Sequence, residues 1–195
     1  MDNEIDSNHI VDIKTVQSSA IKVLIESLKE IITDCNLIID DSGIKLMAMD
    51  STHTVLIHMK LEADKFESYY CKERTVVGIN VLNMYKLIKT MSNLDTITLY
   101  IHKDKPNHLG ILINNHQKNT QTIYNMNLLD IPEDDINIPP VEFETELSLP
   151  SSDFQKIIKD MGSIGENTEI KSVGSKLIFE CEGDFATQTT MLGET

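Results

Sequence analysis

Two lysine pairs stand at matching places in two otherwise different segments. Met84-Tyr85-Lys86-Leu87-Ile88-Lys89-Thr90-Met91 and Phe154-Gln155-Lys156-Ile157-Ile158-Lys159-Asp160-Met161 each carry apolar residues at i, i+3, i+4 and i+7. On a helix that spacing builds one apolar stripe. Lysines at i and i+3 share a face beside it. Such an ammonium pair attracts phosphate as point charges and reads no base. A third stretch, Ile21, Leu24, Ile25 and Leu28, has the same apolar spacing, with Lys22 and Lys29 alongside. On one helix these lysines read as an ordinary solvated face. Their recurrence in a chain of net charge −14 favours a local surface that faces phosphate.

Catalytic chemistry finds little to work with. The sequence has no G-x-x-x-x-G-K-[ST], no H-E-x-x-H and no G-x-S-x-G. Cys35, Cys71 and Cys181 are widely spaced, which fits three unlinked thiols in a reducing compartment better than a metal site. His53 and His58 lie five apart, so in a strand they face opposite sides. The expectation is therefore no enzyme, no cofactor and no metal. The acids are scattered as on a solvated surface.

The elements that must position the lysines are legible from periodicity. Polar residues precede two of the helices, at Ser18-Ser19 and at Ser151-Ser152-Asp153, and predict their caps. A short strand precedes each helix: His9 to Ile13, Thr75 to Ile79, and Glu142 to Leu149. Short β-type runs follow each one. After the first helix come Leu37 to Ile39, a turn at Asp40-Asp41-Ser42-Gly43, Ile44 to Met47, and Val55 to Leu61. After the second come Thr96 to Ile101 and His108 to Ile113; after the third, Glu169 to Val173 and Lys176 to Cys181. The unit of strand, helix and antiparallel strands occurs three times, an α+β architecture with helices on one face of the sheets.

The 195 residues are 41% hydrophobic and 25% charged, enough for one large domain or two small ones. No apolar run approaches the roughly 20 residues that span a bilayer. The acidic, polar start from Met1 to Asp12 is unlike a signal peptide. A soluble, intracellular protein is expected. Leu128 to Pro140 is rich in proline and acid and lacks a helical period, so it reads as an extended linker whose apolar residues lie against the protein. The predicted domains are 1–127, a connector at 128–140, and 141–195.

The repeats, Leu46-Met47-Ala48-Met49-Asp50-Ser51-Thr52-His53, Tyr69-Tyr70-Cys71, Ile138-Pro139 and Leu149-Pro150-Ser151-Ser152-Asp153-Phe154 resemble the proliferating cell nuclear antigen family of DNA sliding clamps. The resemblance runs from about His9 to the last residue. It implies the DNA clamp fold, with sheets outside and helices lining a central hole, in a homotrimer closed head to tail. It implies a processivity factor that encircles double-stranded DNA without sequence preference, in the nucleus or at a cytoplasmic viral replication site. Lys22, Lys29, Lys86, Lys89, Lys156 and Lys159 would line the hole. Met49, His53 and Leu56 would floor a pocket for PIP-box peptides of polymerase, clamp loader, nuclease and ligase, with Ile136, Ile138 and Pro139 as its connector wall. Subunits would pair through two strands, marked by Thr120, Thr122 and Tyr124 and by Thr187, Thr189 and Met191.

The sequence also departs from the family. A two-domain clamp has four units and three are counted here, which suggests a fragment of a longer product. Gly174 stands where relatives carry a lysine that is modified after DNA damage, and Val23 where many have a second lysine. A checkpoint-type clamp built from different subunits and a monomeric or dimeric viral processivity factor are the alternative readings of the same fold.

Overall fold

In the computed structural model of this chain the described residues are 8–133, 136, 140, 142, 146 and 148–193. They fall into two compact units, Met1–Asn137 and Ile138–Thr195.

The first unit runs β1 (His9–Thr15), α1 (Ser18–Leu28), β2 (Asp34–Asp40), β3 (Gly43–Met49), β4 (Leu56–Glu62), β5 (Ser68–Cys71), β6 (Thr75–Asn80), α2 (Val81–Ile88), β7 (Asp95–His102), β8 (His108–Asn115) and β9 (Thr120–Asn127). The strands form two antiparallel sheets, ordered β5-β1-β7-β8-β9 and β4-β3-β2-β6. Alternation decides which side is inside: Cys35, Leu37 and Ile39 of β2 are buried while Asp34, Asn36 and Ile38 are not. α1 and α2 pack against each other. The apolar stripe of α2 sends Val81, Met84 and Ile88 into one core with Val11, Ile13, Leu46, Val77, Ile79, Ile101 and Ile111. Each fully buried side chain of this size contributes roughly 1.5–3 kcal/mol of transfer free energy.

The turn between β2 and β3 forms as its residues predict. Asp40 Oδ1 accepts from the Ser42 N–H at 2.9 Å and from the Ser42 hydroxyl at 2.6 Å. Gly43 then turns with φ +140°, where a Cβ would lie 2.0 Å from the Leu61 carbonyl oxygen.

The second unit holds α3 (Ser151–Gly162), β10 (Thr168–Val173), β11 (Lys176–Glu182) and β12 (Thr187–Leu192), the strands making one antiparallel sheet in that order. Its core is Ile157, Met161, Leu177, Phe179 and Cys181. The ring of Phe154 sits 6.3 Å from that of Phe179.

The predicted caps are corrected. Gln17 and Pro150 precede α1 and α3, and neither caps through its side chain. Ser18 is instead fully buried inside α1, its hydroxyl donating to the Ser92 carbonyl at 2.9 Å. The side-chain cap is on α2, where Asn80 Oδ1 accepts from the Asn83 N–H at 2.9 Å. Of the predicted strand Glu142 to Leu149, the described residues Glu142, Glu146, Ser148 and Leu149 are not in a strand; the rest lie outside the described residues.

Candidate functional site

The six lysines divide by what surrounds them. Lys86 and Lys89 are exposed at the end of α2, a helix without an acidic residue. Lys89 is its C-cap, where the helix dipole favours a cation. Lys86 Nζ donates to Asn83 Oδ1 at 3.3 Å. On α3, Lys156 and Lys159 are exposed opposite the buried Ile157 and Met161, with Asp153 and Asp160 on the same helix. Among the described residues, none of these four lysines forms an ion pair.

The α1 lysines are committed locally. Lys22 Nζ donates to the Met91 carbonyl at 3.2 Å, which ties α1 to the end of α2. Lys29 pairs with Glu30 and lies 4.9 Å from the centre of the Tyr85 ring. The Glu30 carboxylate raises the Lys29 pKa above its ordinary value. Tyr85 in turn donates to Glu26 at 2.7 Å.

A groove of about 210 Å³ opens on the side of β2 and β3 away from the helices. Asp34, Asn36 and Ile38 of β2 and Met47 and Met49 of β3 floor it; Ile131, Pro132, Glu133 and Ile136 wall it. The wall is fastened at successive points. Leu129 N–H donates to the Gly78 carbonyl at 2.8 Å. Asn36 Nδ2 donates to the Ile131 and Pro132 carbonyls at 3.0 and 3.3 Å. Glu133 pairs with Arg74. Gly78 is required at the first point, since a Cβ there would lie 2.1 Å from the Leu129 carbonyl oxygen. Cys35 also lines the groove, and burial pushes its thiol up to about 12, away from the reactive thiolate form.

Of the predicted pocket residues, the groove brings Met49 and Ile136 together. Leu56 lies opposite Met49 across the β3–β4 ladder without lining the groove. His53 is exposed at φ +55° in the β3–β4 loop. Asp50 organises that loop, accepting from the N–H groups of Thr54 and Val55 at 2.8 and 2.7 Å. Ile138 and Pro139 lie outside the described residues. Sequence reading missed Asn36, Ile38, Met47 and Ile131. The alternation of β2 and β3 is the signal that puts the first three on Met49's side.

β9 and β12 are edge strands, paired among the described residues only with β8 and β11. Thr120 and Thr122 are exposed and Tyr124 is half-buried; Thr187, Thr189 and Met191 alternate outward along β12. Each edge leaves backbone donors and acceptors that another strand can take.

Comparison with known proteins places two family models on the chain. "Proliferating cell nuclear antigen, N-terminal domain" matches residues 10–136 and "Proliferating cell nuclear antigen, C-terminal domain" matches 137–195. The chain is 35% identical over 194 residues to the "Probable DNA polymerase sliding clamp 1" of Paramecium bursaria Chlorella virus 1, covering 97% of this chain and 74% of that one. It is 28% identical over 183 residues to the "Proliferating cell nuclear antigen" of Chaetomium thermophilum, covering 94% of this chain and 70% of that one.

Proposed function

This chain belongs to the proliferating cell nuclear antigen family and is a DNA sliding clamp, a polymerase processivity factor; we propose that it holds duplex DNA through Lys86, Lys89, Lys156 and Lys159 and its partners through the groove beside Met49. It catalyses nothing itself. The observation that carries the reading is the repeated lysine pair, exposed on two helices whose opposite faces are buried.

The chemistry suits a ring that must slide. Ammonium groups attract phosphate at any sequence, whereas contacts to base edges would pin the protein in one register. Attraction stays local because the rest of the surface is acidic, with 31 Asp and Glu against 17 Lys and Arg. Topological enclosure supplies the tether, so each phosphate contact can be weak.

Two edge strands whose outer ladders are unpaired among the described residues, β9 and β12, support a head-to-tail homotrimer, since pairing unlike edges closes a ring when the rotation permits. The groove suits an extended, PIP-box peptide with apolar anchors. Met47 and Met49 adapt to different side chains. Polymerase, clamp loader, nuclease and ligase are the partners of that class. The site of action is wherever such DNA is copied, the nucleus or a viral replication site.

The test is processivity of a cognate polymerase with the chain in which Lys86, Lys89, Lys156 and Lys159 are all alanine. Shorter products, with a shallower salt dependence of DNA association, are expected. Product length equal to wild type refutes the lysine assignment. Light scattering at low and moderate salt reads the assembly: three subunit masses support the homotrimer and one refutes it for this chain.

A further inference from the structure

On the outer face of the five-stranded sheet, away from α1 and α2, two imidazoles meet edge on. His9 Nε2 lies 3.2 Å from His102 Nε2, and His9 Nδ1 lies 2.6 Å from Asp12 Oδ2. His9 and Asp12 are three residues apart, which in a regular strand puts them on opposite faces. A bulge between His9 and Val11 changes this: His9 stands opposite His102 while Val11 stands opposite Ile101. The extra residue turns His9 onto the face of Asp12, a re-aiming for which β-bulges are used next to sites.

The surroundings hold the pair in place. The His9 ring stacks on Tyr100 at 4.9 Å, and both His9 and Tyr100 meet the His102 ring edge to face. Tyr100 is itself seated flat over Gly110, where any Cβ would lie 2.2 Å from the phenol carbon. His9 and Asp12 side chains are only 12% and 17% exposed.

With Asp12 accepting from Nδ1–H, His9 Nε2 carries no proton and stands within hydrogen-bond distance of His102 Nε2. This is the carboxylate–histidine arrangement that orients metal-ligating imidazoles. The nitrogen separation also fits: metal–nitrogen bonds of about 2.0–2.1 Å at tetrahedral angles place two ligating nitrogens roughly 3.4 Å apart. We propose that His9 and His102 form a binding site for a first-row transition-metal dication, with Asp12 positioning His9. To ligate, His102 presents its Nε2 lone pair and carries its proton on Nδ1. Among the described residues no third His, Cys, Asp or Glu completes a cluster, so the proposal assigns the ion two protein nitrogens. Bound there, it would staple the first residue of β1 to the last of β7.

Zinc is the probe, followed through histidine ring ¹⁵N resonances of the full chain. Saturable, concerted movement of the His9 and His102 signals at one ion per chain is expected. The His9 response should vanish in His102→Gln, and Asp12→Asn should weaken binding about 10–100-fold. If His102→Gln does not fold, His9→Gln read through His102 gives the same decision. Movement confined to His53, His58, His108 or His116 overturns the proposal, as does an unchanged His9 response in His102→Gln.

Discussion

Arg74 donates from both terminal guanidinium nitrogens to the carboxylate of Glu133, joining residues 59 apart in the chain. The pair fastens the wall of the groove to the loop before β6. Both side chains are about half exposed, so salt screens the contact. Its effect should fall on the groove rather than on overall stability.

Arg74→Ala is expected to lower affinity for a labelled PIP-box peptide by less than about fivefold in fluorescence anisotropy. High salt should have the same effect on wild type and little on the variant. Arg74 holds the Glu133 carboxyl below its ordinary value. The latch is therefore complete above the usual glutamate pKa and is lost only as pH falls through the lower, folded value. Between pH 6 and 8 the affinity should be flat.

The lysines should not contribute equally. α2 carries no acid, α3 carries Asp153 and Asp160, and the α1 lysines are engaged by Met91, Glu30 and Tyr85. Paired alanine substitutions at Lys86 and Lys89 should reduce the salt slope of DNA association most. Lys156 and Lys159 follow, and Lys22 and Lys29 come last. Each phosphate that is no longer neutralised takes about 0.9 from the slope. Lys22→Ala should show itself instead as a lowered urea midpoint, because it unties α1 from the end of α2.

Gly78→Ala drives a methyl group to within 2.1 Å of the Leu129 carbonyl oxygen. Steric overpacking of this kind costs about 1–3 kcal/mol, measurable by urea denaturation. Peptide affinity should fall further than in Arg74→Ala, since the bridge between Gly78 and Leu129 breaks as well. Wild-type affinity in Gly78→Ala would show that the first fastening point does not shape the groove.

Asp95 is buried at the start of β7 and accepts from the Ser92 N–H and hydroxyl, both at 2.8 Å, and from the Asn115 amide. Burial alone would raise its pKa; the Ser92 and Asn115 hydrogen bonds more than offset this and lower it. Asp95→Asn should destabilise the chain by about 1–3 kcal/mol at pH 7. A group with a depressed folded pKa contributes fully above its unfolded value and loses that contribution as pH falls through the folded one. The stability gap between wild type and variant should accordingly close below the ordinary aspartate range.

Local patterns made much of this molecule readable from its residues. The stripes of α2 and α3, the Asp40–Gly43 turn and the alternation of the strands each depend on neighbours within a few positions, and each appears where spacing puts it. The lysine pairs share faces for the same reason. What spacing does not carry is contact across the chain. That Lys22 donates to the Met91 carbonyl follows only from how α1 meets α2. Ser18 looked like a cap because serine before an apolar run usually is one, but the end of α2 brings the Ser92 carbonyl to it. Alternation gives Asn36 a face but no partner. Its role depends on a segment about 95 residues later lying alongside β2.

The fastening of residues 129–133 has a consequence for how tightly a partner can be held. A segment that must be ordered on binding costs roughly 1–2 kcal/mol of backbone entropy per residue, subtracted from whatever contacts the partner makes. Here Leu129, Ile131, Pro132 and Glu133 are already held by Gly78, Asn36 and Arg74 before any peptide arrives. A short motif that touches few atoms can then bind measurably and still leave quickly. Under the proposed role, successive partners can exchange at one groove because the surface that receives them does not have to be rebuilt each time.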